Sequence, residues 1–313
     1  MNILSFEDVC FAYQRIKNHI KNTPIISNEI INKKLKAQIF FKMDNLQETH
    51  SYKVRGALNA VLSYYQKYRK FPDKIVVQSS GNHAQAVAFV GKKFNIPVLV
   101  YMANTVSPYK IMLTKQFGAD VVLCEKRSIA NQLALEKQNE GYFFIHPSDN
   151  DDVIAGQGTA TLEALKEIGE VDGIFAPCGG GGLLSGCYLA SQQLSPNAKI
   201  IGCEPLLAND ACNSLRLRKI VGFDDTPQTI ADGARTLKVS PRCFYYLQKI
   251  SGIIEIKEDK IINWQKELCE TLSQKIEMTS ALGIAGVELM LKQNPSWQNG
   301  KFLVIISGGN IEQ

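Results

Sequence analysis

The feature that most restricts this chain is a repeated grammar in which a short apolar run passes through a polar or glycine-rich turn straight into an amphipathic helix. Ile75-Val76-Val77-Gln78 enters Ser79-Ser80-Gly81-Asn82-His83-Ala84-Gln85 and then an apolar-periodic stretch over 86–94. Residues 173–178 enter Gly179-Gly180-Gly181-Gly182 and a helix over 183–194. Strand-like runs at 98–101, 119–123 and 142–145 alternate with helical patterns near 108–117 and 128–140. The alternation resumes at 200–203, 253–256 and 302–306. Strand followed by helix, repeated, predicts an α/β fold of open, mostly parallel sheets with flanking helices. Upstream, Ser5-Phe6-Glu7-Asp8 reads as a helix cap, with Val9, Ala12 and Ile16 on an apolar face and Asn22-Thr23-Pro24 ending it. Strands at 24–27 and 38–42 follow.

Composition narrows the function classes. A 313-residue chain with 45% hydrophobic residues can bury a sizeable core as one large domain or two. The net charge of +5 is mild and scattered, and the densest cluster, Lys33-Lys34-Leu35-Lys36, reads as a solvated face, so no nucleic-acid partner is expected. No apolar run reaches membrane-spanning length and no secretory signal pattern opens the chain, so no membrane partner is expected. Eight cysteines without CxxC spacing read as reduced thiols of a cytoplasmic protein. Ser148-Asp149-Asn150-Asp151-Asp152 reads as a solvated crossing between domains.

Three pieces carry the chemistry. Lys53 stands directly before a helix whose Val54, Ala57, Leu58, Val61, Leu62 and Tyr68 recur at the spacing of one buried face. A lysine held on such an anchored element and partly desolvated sheds its proton readily, which is what Schiff-base formation with an aldehyde requires. The turn at 79–85 puts hydroxyls beside the unpaired N–H groups of a helix start, a seat for a carboxylate. Four consecutive glycines let main-chain N–H groups converge on a phosphate. Each piece has a bland reading, since capped helices, turn asparagines, core histidines and single Gly-rich turns are common. Together they fit a phosphorylated aldehyde cofactor.

The motifs Ser51-Tyr52-Lys53-Val54-Arg55-Gly56-Ala57, 79–85, Ala155-Gly156-Gln157-Gly158-Thr159, the tetraglycine run, Thr229-Ile230-Ala231-Asp232-Gly233 and Ser307-Gly308-Gly309-Asn310 occur in one order. With them the chain resembles, over nearly its whole length, the pyridoxal-phosphate enzymes of the tryptophan-synthase-β fold, specifically the serine/threonine dehydratase and serine racemase family. The resemblance implies a large cofactor domain in two segments, 1–72 and 152–313, with a small mobile domain at 73–151, and a homodimer. It implies that Lys53 holds pyridoxal 5'-phosphate and acts as the base on a small hydroxy amino acid. Tyr52 would lie against one face of the ring and Asn82 would hydrogen-bond its phenolic oxygen. Ser79, Ser80, Gly81, Asn82 and His83 would surround the substrate, Gly179, Gly180, Gly181 and Gly182 would grip the phosphate, and Ser307 would face the pyridine nitrogen.

A hydroxyl opposite that nitrogen favours β-elimination over transamination, so the leading expectation is an ammonia-lyase converting L-threonine or L-serine to a 2-oxo acid. The alternative is a serine racemase, for which Ser80 would be the second acid. His50 stands where racemases of the family have glycine, which favours the dehydratase. Glu204-Pro205-Leu206-Leu207-Ala208-Asn209-Asp210 offers hard oxygen ligands. By resemblance, Glu204, the Ala208 carbonyl and Asp210 would hold Mg²⁺ or Ca²⁺. Glu277-Met278-Thr279-Ser280-Ala281-Leu282-Gly283 departs from the family's Glu-Pro-Ser/Thr-Ala-Gly, which puts substrate size in doubt.

Overall fold

Two sheets realise the alternation in a computed structural model that describes residues 3–312. In chain order the strands are β1 (Ile25–Ile26), β2 (Gln38–Met43), β3 (Ile75–Gln78), β4 (Val98–Ala103), β5 (Asp120–Cys124), β6 (Phe143–Phe144), β7 (Gly173–Pro177), β8 (Lys199–Pro205), β9 (Gly252–Ile256) and β10 (Lys301–Ile306). The helices are α1 (Phe6–Ile16), α2 (Glu29–Leu35), α3 (Lys53–Tyr68), α4 (Asn82–Phe94), α5 (Pro108–Lys115), α6 (Arg127–Asn139), α7 (Asp151–Ile168), α8 (Gly182–Leu194), α9 (Asp210–Leu217), α10 (Pro241–Leu247), α11 (Glu258–Leu272) and α12 (Met278–Gln293). One sheet has the order β1-β2-β10-β7-β8-β9, parallel except for β1 against β2. The other, β5-β4-β3-β6, is wholly parallel.

The central strand β10 shows why the larger sheet is covered on both sides. Phe302, Val304 and Ile306 enter a core with Phe175, Trp264, Leu268 and Leu282, whereas Leu303 and Ile305 enter another with Val9, Ile154, Leu162 and Leu184. The alternation is the two-residue period of a strand, and both phases are apolar because helices lie on both faces. A third core joins Val54, Ala57, Leu58 and Val61 of α3 to Ile75, Val77, Val87 and Val90 around the smaller sheet. The helix that begins at Lys53 therefore packs against the second sheet, while β2 just before it belongs to the first.

Helix α7 fits between α3 and α8 because it is small where they cross. A Cβ on Gly156 would stand 2.7 Å from the Cα of Gly56, and one on Gly158 would stand 2.8 Å from the Gly186 carbonyl oxygen. The Ala155–Thr159 motif thus sets the distance between helices.

Several expectations are corrected. Tyr68 is 52% exposed, because the last turn of α3 runs past the core before Arg69 closes it in the left-handed region. Helix α1 stops at Ile16, well short of 22–24, and α4 starts at Asn82 rather than at 86. The acidic stretch 148–152 is not a solvated crossing. Asn150 caps α7 by accepting the Val153 N–H at 3.0 Å, and Asp151 and Asp152 occupy the first turn, where the helix dipole favours carboxylates. Arg242 then pairs with Asp149 at 3.4 Å and Asp151 at 3.0 Å. Among the described residues no helix is long and apolar enough to cross a membrane.

Beneath the start of α3 lies a buried knot of charge. The Arg55 guanidinium grips Asp44 with Nε and Nη2 at 2.6 and 2.9 Å, and Glu163 with Nη1 and Nη2 at 2.9 and 2.8 Å. Lys42 completes it at 2.8 Å from Glu163. Burial alone would raise the Asp44 carboxyl, but Arg55 outweighs it and holds the group below its usual range. Burial lowers Lys42 despite Glu163. Two cations and two anions balance, so deleting one member strands a buried charge. Asp44→Ala is expected to lower unfolding stability by about 3–5 kcal/mol in urea titration; a loss under about 1 kcal/mol would show that the knot holds nothing.

Candidate active site

The segments that follow the carboxyl ends of β2, β3, β7 and β10 converge on a cavity of about 380 Å³. That end of parallel strands is where an open α/β sheet binds ligands. The structure brings together Tyr52, Lys53, Ser79, Ser80, Gly81, Asn82, His83, Gly179, Gly180, Gly181, Gly182 and Ser307 as lining. Glu204, Ala208 and Asp210 are not part of it.

Lys53 is the first residue of α3, and its Nζ donates to the Pro147 carbonyl at 3.2 Å. The amine forms no ion pair among the described residues, and burial lowers its pKa to about 8. Its Nζ lies 5.0 Å from the Tyr52 ring centroid. The segment before it is stitched to the end of β10: the Tyr52 N–H donates to Ser307 at 3.0 Å, and the Gly309 N–H donates to His50 at 2.9 Å. His50 itself has φ +52°, in the left-handed region where glycine is the easy choice. The glycine that the resemblance places here is thus explained by backbone shape, and a histidine holds the same turn at some strain.

The 79–83 segment is the entry to α4, whose first-turn N–H groups have no partner within the helix. Two side chains there are already engaged within the protein. The His83 ring is buried and its Nε2–H donates to the Ile145 carbonyl at 2.8 Å. Burial, then the Lys53 charge, depress its pKa to about 3, so the ring is neutral and only the main-chain N–H is offered to a carboxylate. Asn82 does not present a free amide: its Nδ2 donates to Glu277 at 2.8 Å, and its Oδ1 accepts from Asn310 Nδ2 at 2.9 Å. The Asn82 nitrogen is within hydrogen-bond distance of both Glu277 carboxyl oxygens, at 2.8 and 3.0 Å. Ser307 Oγ lies 3.0 Å from Ser280 Oγ, so its hydrogen-bond partner is a hydroxyl and not a carboxylate.

The glycine run turns into α8 through Gly181, with φ +91°. Side chains are excluded as well as unnecessary, since a Cβ on Gly179 would lie 3.1 Å from the Gly233 carbonyl oxygen and one on Gly180 would strike the Ser148 hydroxyl. Converging N–H groups at the start of a 13-residue helix suit a phosphate, and a neutralisable amine faces the same cavity. These residues fit a phosphorylated aldehyde.

Lys110, Arg127, Asp232, Arg235, Thr236 and Glu277 also line the cavity; the sequence pointed to the Glu277 segment only as a departure bearing on substrate size, and named none of the six as a site residue. Asp232 and Glu277 fall within recognisable motif segments, so a signal existed for those two. Lys110 and Arg127 sit at helix starts with no local motif. Lys110 pairs with Asp232 across the mouth, and Arg127 Nη1 donates to the Arg235 carbonyl at 2.6 Å. Glu277 is buried, its carboxyl pushed up by burial against the pull of Asn82.

At the end of β8, Glu204, Ala208 and Asp210 of the expected cation site are all buried. The Glu204 oxygens accept the Ala211 and Cys212 N–H groups of α9 at 3.2 and 2.9 Å. Burial and then Asp210 push Glu204 well up, and burial brings Asp210 to about 7, while the buried Asp210 Oδ2 has no hydrogen-bond partner. Among the described residues no cluster of three or more His, Cys, Asp or Glu side chains is gathered for a metal. The donor set here is two carboxylates and a carbonyl.

The fold and cavity define an enzyme of the pyridoxal-phosphate class, and the chain belongs to the pyridoxal-phosphate dependent enzyme family, matching it over residues 16–308. It is 37% identical to the L-threo-3-hydroxyaspartate ammonia-lyase of Saccharomyces cerevisiae, over 100% of this chain and 95% of that one. It is 35% identical to the serine racemase of Schizosaccharomyces pombe, over 98% and 94% respectively. The crystal structure of the T.th. threonine deaminase superposes with a TM-score of 0.91 at 33% identity, covering 99% of each chain.

A depressed amine pKa makes a prediction about pH. Because the neutral amine appears as pH rises through about 8, covalent capture of pyridoxal phosphate by cofactor-free protein should accelerate with a midpoint near that value. A midpoint near 10.5, the ordinary lysine value, would mean that Lys53 is solvated.

Proposed function

We propose that the protein is an ammonia-lyase that eliminates the β-hydroxyl of a hydroxy amino acid such as L-threonine or L-serine, releasing a 2-oxo acid and ammonia. The observation that carries this reading is a buried amine without an acidic partner, facing both a carboxylate seat and a phosphate seat. Bound pyridoxal phosphate supplies an electron sink for the α-carbon. The chain's residues do the rest. Main-chain N–H groups and hydroxyls at 79–83 hold the α-carboxylate, the 179–182 N–H groups fix the phosphate, and Tyr52 limits ring movement. Lys53 Nζ, neutral above about pH 8, accepts the α-proton. Ser307, whose hydroxyl partner is Ser280, would offer the ring nitrogen a hydroxyl and no carboxylate to keep it protonated, which would favour expulsion of the β-hydroxyl over slower fates.

A second reading, amino-acid racemisation, is favoured by one observation: Ser80 lines the same cavity as Lys53 and brings a second proton-bearing group. At β8 we propose a structural Mg²⁺ or Ca²⁺ held by Glu204, the Ala208 carbonyl and Asp210, supported by the unpartnered Asp210 oxygen.

With L-serine and L-threonine, the holoenzyme should form 2-oxo acid and ammonia faster than D-amino acid, and Ser80→Ala should remove inversion while retaining elimination. D-Serine as the main product would reverse the order of the two readings. Saturating Ca²⁺ should stabilise the wild type by about 2–3 kcal/mol at 100-fold excess over its Kd. Asp210→Asn should abolish that gain; an equal gain in the variant would remove the cation proposal.

A further inference from the structure

We propose that Glu277 is a positioning residue: through Asn82 it fixes the entry to α4, and with it the α-carboxylate seat at 79–83, against the larger-sheet side of the cavity. The inference rests on the carboxylate seat of the lyase reading and adds the group that sets its place. The seat belongs to the smaller sheet, since it joins β3 to α4. Most of its own bonds stay on that side. The Ser79 N–H donates to the Tyr101 carbonyl at 3.3 Å, Ser79 Oγ accepts the Gly81 N–H at 3.3 Å, and the His83 ring reaches the Ile145 carbonyl. Among the described residues, Asn82 is the one member of the seat whose side chain hydrogen-bonds to the larger-sheet side.

Two residues of that side receive it, Glu277 at the N-cap of α12 and Asn310 just beyond β10. Asn82 Nδ2 lies 2.8 and 3.0 Å from the two Glu277 oxygens, and its Oδ1 accepts from Asn310 Nδ2 at 2.9 Å. The Asn310 N–H donates to Glu277 Oε1 at 3.0 Å and closes the ring. An ionised carboxylate only accepts, so it admits the nitrogen end of the Asn82 amide and refuses the oxygen end. Asn310 repeats the choice from the other side, because its Nδ2 also donates to the Thr49 carbonyl at 2.9 Å and so presents nitrogen to Asn82 Oδ1. Room for the carboxylate is built in. Glu277 is buried, its N–H donates to the Gly308 carbonyl at 3.0 Å, and a Cβ on Gly308 would stand 2.6 Å from Glu277 Oε2 and 3.0 Å from Asn82 Nδ2. Hydrogen bonds to an ionised acceptor are strong and directional, and these hold the seat in register with the sheet that carries the glycine run.

The test uses the holoenzyme and L-alanine, an amino acid with no β-hydroxyl to lose. Its affinity is read from the visible absorption of the cofactor, and the freedom of the seat from hydrogen exchange of the 79–85 peptide by mass spectrometry. Glu277→Gln keeps the size of the side chain but sets an amide nitrogen among donors. It should weaken L-alanine binding by at least about 10-fold and speed exchange at 79–85 by a similar factor, leaving exchange in β7 and β8 unchanged. With a hydroxy amino acid it should raise KM more than it lowers kcat. Asn82→Ala, which cuts the same link from the other end, should speed exchange at 79–85 equally. Combining Asn82→Asp with Glu277→Gln reverses donor and acceptor, since the new carboxylate accepts from both the glutamine amide and Asn310 Nδ2. That pair should return exchange at 79–85 to within about 3-fold of the wild type. Unchanged L-alanine affinity in Glu277→Gln, with or without faster exchange, would overturn the proposal and leave Glu277 a structural contact. Exchange that the double variant fails to slow, or that rises equally in β7 and β8, would also overturn it. Absence of 2-oxo acid from every hydroxy amino acid, with L-alanine affinity still governed by Glu277, would sink the lyase reading and keep the positioning role.

Discussion

The position of the Lys53 amine depends on the Arg55 guanidinium, closed on two sides by Asp44 and Glu163. It lies two residues beyond Lys53 and ties the first turn of α3 to the end of β2 and to α7. A bidentate contact on each side fixes orientation as well as distance. The apolar face of α3 meanwhile packs against the smaller sheet. Lys53 is thereby held between two sheets, in a place dry enough to depress its pKa, by forces that do not touch its own side chain.

The same arrangement explains the division of labour in the cavity. The seats proposed for the phosphate and the α-carboxylate are largely main-chain features, at Gly179 to Gly182 and at the entry to α4. The long side chains of Lys110, Arg127 and Arg235 also line the cavity. Main-chain seats cannot be altered without refolding a loop, whereas an arginine at a helix start is free to vary.

What could be read from the sequence follows this distinction. The sheets, and the placement of Lys53 and the glycine run at strand-to-helix junctions, were legible because strand, turn and helix are neighbours in sequence and their patterns are local. The Asn82–Glu277–Asn310 cluster was not, because its members are far apart in the chain and nothing in any one segment announces the others. His83 looked available because its motif is polar, but its ring turns inward to the Ile145 carbonyl. Arg127 and Lys110 carry no local motif that sets them apart from the chain's other basic residues. The acidic run at 148–152 was misjudged because paired aspartates suit a loop and a helix N-terminus equally well.

The most direct test of the account is the covalent site itself. Borohydride reduction of the pyridoxal-phosphate-loaded protein, followed by peptide mass spectrometry, should place the cofactor's mass on Lys53, and Lys53→Ala should carry none. A label on another lysine, or a protein that retains the cofactor with no covalent mark, would contradict it.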